Sequence, residues 1–231
     1  MRLLAIETST GVGSVAVLDE DGGVRDQISF PEGTKHGISL VPSIRDILER
    51  AGWEPAGLDA VAVSIGPGSY TGLRVGLVSA KMLAAFGGAD LVAVPSLDVI
   101  AYNADTAYED VCVVEDARRD QVYAARYERQ ETLLRRISDY AVVAPKELLG
   151  SLREDTILVG DGIPIVRAEA GGTPVRVAAE EQWIPQAYVV AEIGTRLHAQ
   201  GVRSDSYSTE PMYLRKVAAE EQWTAREAAS K

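Results

Sequence analysis

Residues 58–86 constrain the possible folds of this chain more than any other stretch. Residues 58–65 are a short apolar run rich in Val and Ile, the pattern of a strand covered on both faces. Gly66-Pro67-Gly68 ends it, since glycine admits positive φ and proline cannot continue a hydrogen-bonded ladder. Ser69 or Thr71 can then accept from the free N–H groups that open a helix. Between Leu73 and Phe86 only Arg74, Ser79 and Lys81 are polar. A helix so apolar nearly all round is covered on more than one side, yet a flanking sheet covers only one. Gly72, Gly76 and Ala80 recur at four-residue spacing, a row expected to admit a partner helix at close range. Strand, tight turn and doubly covered helix together predict an α/β protein with a partner surface.

Three short strands precede this unit, over residues 2–8, 13–18 and 24–30, the last two joined by Asp19-Glu20-Asp21-Gly22-Gly23. A helix is predicted over residues 39–51, with Val41, Ile44 and Leu48 on one stripe and Gly52 as its stop. Pro42 is expected in its first turn, where the missing N–H has no helical acceptor. A strand over 91–94 and a helix over about 97–103 follow the central unit. Three antiparallel strands and then βαβ crossovers form one lobe of the fold shared by actin, hexokinase and Hsp70-type ATPases; other α/β layouts also accommodate the order. The polar stretch 105–110 divides residues 1–104 from a smaller second lobe, 105–231, whose last residues can cross back. That lobe shows strands over 111–115, 121–129 and 156–159, then Gly160-Asp161-Gly162, a loop over 168–174 and a helix over 186–200. The heptapeptide VAAEEQW occurs twice, at 177–183 and 217–223, with no longer period around it.

A formal net charge of −11 disfavours direct gripping of nucleic-acid phosphates, and the pairs Arg118-Arg119 and Arg135-Arg136 read as solvated. The single Cys112 excludes an internal disulfide and has no identifiable base, while His36 and His198 are too isolated for a metal constellation. No stretch reaches membrane-spanning length and no leader pattern is present, so the expected location is the cytoplasm. Glu7-Thr8-Ser9-Thr10-Gly11 suits a turn that cradles phosphates through N–H groups and hydroxyls, with Glu7 reaching a metal through water; it equally suits a polar hairpin turn. Gly66-Pro67-Gly68 lacks the lysine of a phosphate-binding loop and reads as a structural turn. Asp116-Ala117-Arg118 stands where a second phosphate turn would be needed, and Ala117 with two bulky arginines denies the backbone access it requires.

These residues resemble the TsaB (YeaZ) family. The matching pieces are Ile6-Glu7-Thr8-Ser9, His36 ahead of Leu40 and Pro42, and above all G-P-G-S-Y-T-G-L-R from Gly66 to Arg74. Asp116-Ala117-Arg118 with Val122-Tyr123, Gly160-Asp161-Gly162 and Pro211-Met212-Tyr213-Leu214-Arg215 also fit. Glu7 departs from the family's usual Asp. The resemblance implies a two-lobed actin-like ATPase (ribonuclease H-like) α/β fold with mixed sheets and a reduced second lobe. It further implies a non-catalytic subunit for threonylcarbamoyladenosine synthesis on tRNA, binding the metal-bearing TsaD paralogue and, with it, the ATPase TsaE. TsaD-type chains carry a metal-binding H-x-x-x-H, and here Leu40 stands in the second histidine's place.

The expected site is accordingly a partner interface of His36, Leu40, Ile44, Thr71, Gly72, Arg74, Val75, Gly76, Ser79 and Ala80. It would serve a homodimer or the paralogue, with tRNA reached only through the complex. Glu7, Thr8 and Ser9 are a vestigial nucleotide turn that leaves at most weak ATP or ADP binding; no catalytic residue, metal or obligate cofactor is expected. The alternative is a small-molecule kinase or ATPase of the same fold, and, further off, a metalloprotease.

Overall fold

Strand β1 (Leu3–Glu7) is the middle of a five-stranded sheet, and the whole chain is arranged around it in the computed structural model, which describes residues 1–19, 23–31, 33–104, 106–131 and 133–215. It pairs antiparallel with β2 (Ser14–Leu18), which pairs antiparallel with β3 (Val24–Ser29). On its other side it runs parallel to β4 (Ala60–Ser64), and β4 runs parallel to β5 (Asp90–Val94). Every residue of β1, β2 and β4 is buried, so both faces of this sheet are covered.

The two faces are covered by different parts of the sequence. Alternation along β1 sends Leu4 and Ile6 to one side, where α1 (His36–Ala51) and α2 (Tyr70–Gly87) pack with Leu40, Ile47 and Leu77. Leu3 and Ala5 face the other side, which is closed by Val190 and Ala191 of α6 (Ala187–Ala199). Small residues line that second face, and a Cβ at Gly194 would come within 2.6 Å of the Ala62 Cβ, so α6 lies close on the sheet.

The second lobe is the reduced one. Its strands are β6 (Asp110–Asp116), β7 (Val122–Gln130), β8 (Leu133–Arg136), β9 (Ala141–Val143) and β10 (Ile157–Val159), ordered β10-β6-β7-β8, with β9 also paired to β7. Two short helices, α4 (Pro145–Ser151) and α5 (Ile163–Glu169), complete it. Helix α3 (Ser96–Tyr102) joins the lobes: Leu97 and Ile100 pack on Val111, Val113 and Tyr127. Asp98 Oδ1 accepts from the hydroxyls of both Tyr127 (2.7 Å) and Tyr140 (2.8 Å), and burial pushes this carboxyl's pKa up.

Three sequence expectations are corrected here. Helix α1 begins at His36, so Pro42 lies beyond its first turn; it is tolerated there on the exposed side, where water can serve the carbonyl that its missing N–H leaves without a donor. The buried stripe of α1 runs through Leu40, Ile44, Ile47 and Leu48, whereas Val41 is 65% exposed. The return crossing is also far larger than a few last residues, because the sheet's second face needs a helix: α6 and the strap after it belong with the first lobe. His198, on α6, accordingly meets Asp90 of β5 at 2.9 Å. The second copy of VAAEEQW, at 217–223, lies outside the described residues.

The strap, residues 202–215, runs back across the first lobe. Ser204 N donates to Leu91 O, Ala93 N to Ser204 Oγ, and Met212 N to Ile65 O at 2.7 Å. Lys81 of α2 holds the carbonyls of Tyr207 and Thr209, and Arg215 reaches the second lobe through Ala117 O and Arg118 O.

Candidate functional site

The turn that follows β4 carries two features. Gly66 (φ 112°) and Gly68 (φ 153°) adopt backbone conformations that side chains disfavour, and a Cβ at Gly68 would run into Ser9 O. Ser69 then caps α2, its Oγ accepting from Gly72 N at 3.2 Å. The result presses the start of α2 against the β1–β2 turn, and Ser69 N donates to Ser9 O at 2.6 Å.

This contact explains the row of small residues. A Cβ added at Gly72 would collide with Thr8 O, and one at Gly76 with Thr8 Oγ1, which itself donates to Gly72 O at 2.9 Å. Gly72, Gly76 and Ala80 therefore face β1, not a partner; the outward placement expected from sequence is corrected. Leu40 and Ile44, expected at the same interface, are core residues. Thr71 and Arg74 are exposed, Val75 and Ser79 half-buried. His36 is half-buried, its Nε2 2.7 Å from Thr10 O and its ring against Phe30.

The outer face of the helix pair is formed by other residues. On α2 it is Arg74, Val78, Met82 and Phe86, spaced by four, and on α1 it is Ile38 and Val41. Phe86 is 81% and Ile38 71% exposed. Arg74 Nε donates to the Tyr213 hydroxyl (2.9 Å) and its guanidinium lies 4.1 Å from the Tyr70 ring centre, so the strap is stacked onto the head of this face. Both four-residue rows of α2 are visible in the sequence; the signal that separates them is side-chain volume, since glycines let a helix approach a strand.

A cleft of about 570 Å³ opens between the lobes beside this face. Ser9, Thr10, Gly11 and the Gly68–Thr71 segment line one wall; Glu115 to Arg119, Tyr123 and Asp161 line the other, with Arg215 of the strap. Of the expected nucleotide turn only Ser9 faces the cleft; Glu7 and Thr8 do not. Glu7 is fully buried, its Oε1 accepting from Ser9 N at 2.5 Å. Burial raises its pKa, against the Ser9 N–H bond and the nearby His36, which lower it. On the far wall Arg118, Arg119 and Asp120 all have φ between 53° and 64°, forming a hairpin turn of non-glycine residues with Arg118 N donating to Asp116 Oδ1. The Mg²⁺–ATP cradle usual for this fold does not fit these walls: the Thr8 hydroxyl and Ser9 N–H are already engaged, and arginines occupy the second turn.

Two lobes, a β1-centred mixed sheet in the first and a cleft between them define a chain of the actin-like ATPase class. Residues 17–223 match the sequence family described as TsaD: tRNA N6-adenosine threonylcarbamoyltransferase. The tRNA threonylcarbamoyladenosine biosynthesis protein TsaB of Bacillus subtilis (strain 168) is 29% identical over 229 residues, covering 96% of this chain and 98% of that one. The Escherichia coli (strain K12) TsaB is 30% identical over 224 residues, covering 93% and 95%. The solved structure of YeaZ from Pseudomonas aeruginosa superposes with a TM-score of 0.82 at 30% identity, covering 92% of this chain and 99% of that one. The chain belongs to the TsaB (YeaZ) family.

Proposed function

We propose that this chain is the non-catalytic activating subunit of a complex that makes N6-threonylcarbamoyladenosine on tRNA, and that it docks a TsaD-type transferase on the outer face of α1 and α2. The observation that carries the reading is the exposed stripe Ile38, Val41, Val78, Met82 and Phe86 on helices whose other sides are already packed on the sheet. The same face would serve a second copy of the chain, so homodimer and heterodimer compete. TsaE joins through the heterodimer, and tRNA is contacted by the transferase, in keeping with a net charge of −11 here. The chain works in the cytoplasm and needs no cofactor of its own.

The test is co-purification with the TsaD-type transferase, followed by a threonylcarbamoyl transfer assay, for the natural chain and for Met82→Asp and Phe86→Asp. Loss of association and of activation in both variants, with folding intact, is expected. Turnover by the isolated chain of about 1 per second or more, or unchanged association in both variants, overturns the reading. A second reading, a small-molecule kinase or ATPase, has in its favour only the buried, unpartnered Ser9 Oγ and Glu115 Oε2 in the cleft walls, against the engaged Ser9 N–H and the arginines of the second turn. An ATP titration with and without Mg²⁺ separates the two.

A further inference from the structure

Two buried carboxyls, one from each lobe, meet at the seam behind the cleft, and of the two only Glu115 lines it. Glu7 is the last residue of β1, and Glu115 stands one residue before the end of β6. Both are buried, at 0% and 4% exposure, and among the described residues no donor reaches Glu7 Oε2 or Glu115 Oε2. Glu115 is wedged between glycines of both lobes. A Cβ at Gly68 would stand 3.1 Å from its Oε1, and one at Gly162 would stand 3.1 Å from its backbone N. The side chain therefore lies in the seam, in contact with the turn that starts α2.

Its charged surroundings are of one sign. Glu7 faces it from β1, Asp116 from its own strand and Asp161 from the β10–α5 turn, with the Tyr123 ring on β7 beside them. Of the cations lining the cleft, Arg118 pairs with Asp116 at 3.0 Å, Arg215 holds Ala117 O and Arg118 O, and Arg119 stands on the same turn as Arg118. His36 of α1 faces Glu7. Among the described residues no three His, Cys, Asp or Glu side chains converge into a metal-binding group. Burial, followed by Asp161 and Glu7, pushes the Glu115 carboxyl well above its ordinary 4.5.

We propose that Glu7 and Glu115 form a proton-dependent latch between the lobes: the seam is closed while Glu115 is a neutral acid, and it opens when Glu115 releases its proton to solvent. An ionised Glu115 would be a buried charge without a partner beside carboxylates, and admitting water at the seam is its relief. On the far side α3 and the Asp98–Tyr127–Tyr140 bonds keep the lobes joined, so the cleft floor is the edge that parts. The sign follows from the raised value. The open or unfolded carboxyl ionises near 4.5, so the closed seam is most stable below that pH and weakens as pH rises toward the value in the closed fold.

The experiment follows the full-length chain from pH 5 to 9 by amide hydrogen exchange, corrected for intrinsic rates, over residues 66–71 and 115–119, with ¹³C-carboxyl NMR on glutamate. In the natural chain both segments should lose protection together as the Glu115 carboxyl titrates. Glu115→Gln should keep its protection across the range. Glu7→Gln removes a carboxyl that helps hold the proton on Glu115, so the closed seam tolerates an ionised Glu115 better and less protection should be lost at high pH. A Glu115 that is already ionised at pH 5, a protection loss that persists in Glu115→Gln, or an undiminished loss in Glu7→Gln overturns the latch. Should Glu115→Gln fail to fold, the carboxyl titration and the smaller loss in Glu7→Gln decide alone.

Discussion

Gly76→Ala and Val78→Asp, two residues apart on α2, should do opposite things. A methyl at position 76 collides with Thr8 Oγ1 and stands 3.5 Å from Ile6 Cγ2, in a layer with no exposed surface. Overpacking of this kind costs about 1–3 kcal/mol. Rotating Thr8 away breaks its bond to Gly72 O, and leaving a buried group unpaired costs a further ~1–3 kcal/mol. The alanine returns up to ~1 kcal/mol through helix propensity. The net is a loss of about 1–5 kcal/mol, or roughly 2–20 °C in Tm for a chain of this size. Val78 is 59% exposed, so Val78→Asp should change stability by no more than ~0.5 kcal/mol while removing association through the outer face. Thermal denaturation with sizing of both variants is the assay. If Gly76→Ala keeps its Tm and loses association, the small-residue row faces a partner and is not packed on Thr8.

The Cys112 thiol, fully buried and pushed up to about 12 by burial, should resist alkylation at pH 8 in the folded chain and react at once in denaturant, as mass spectrometry would record. Tyr127→Phe removes one of two hydroxyls on the half-buried Asp98 carboxyl and should cost about 1–3 kcal/mol in a denaturant titration, with Tyr140→Phe more damaging in its presence than alone. Burial pushes the Asp90 pKa up, but His198 and Arg203 outweigh it and hold it below its ordinary 3.8. The stabilisation from that pair is therefore present above 3.8 and lost as pH falls through the lowered value, and exchange at Ser204 N should quicken there first.

The first lobe was legible because its signals are local. Val and Ile runs, Asp-Gly turns and the Gly66-Pro67-Gly68 break each name an element without reference to distant residues. The direction of α2 was not, because Gly72-Gly76-Ala80 and Val78-Met82-Phe86 have the same period, and only the position of Thr8 decides which row meets the sheet. The same limit hid the start of α1: its stripe is fixed by contact with β2 and β3, so Val41 and Leu40 exchange roles across one residue. Glu115 carried no sequence signal either. A glutamate next to an aspartate at a strand end reads as solvated until Gly68 and Gly162 are seen closing over it. In the second lobe short elements such as β9 and α4, of three and seven residues, have too few periods to announce themselves.

The position of α6 has a consequence for how the protein is made. Strand β5 is complete at residue 94, but the helix that covers the second face of its sheet ends at residue 199. A ribosome adding about 5–20 residues per second takes on the order of 5–20 s to bridge that interval. Throughout it Leu3, Ala5, Ala60, Ala62 and Val92 have no helix over them, and the second lobe is being synthesised as an insertion into an unfinished first one. Nascent chains halted before residue 187 should therefore hold a half-covered sheet that a chaperone can recognise, and chains carried through residue 199 should release it.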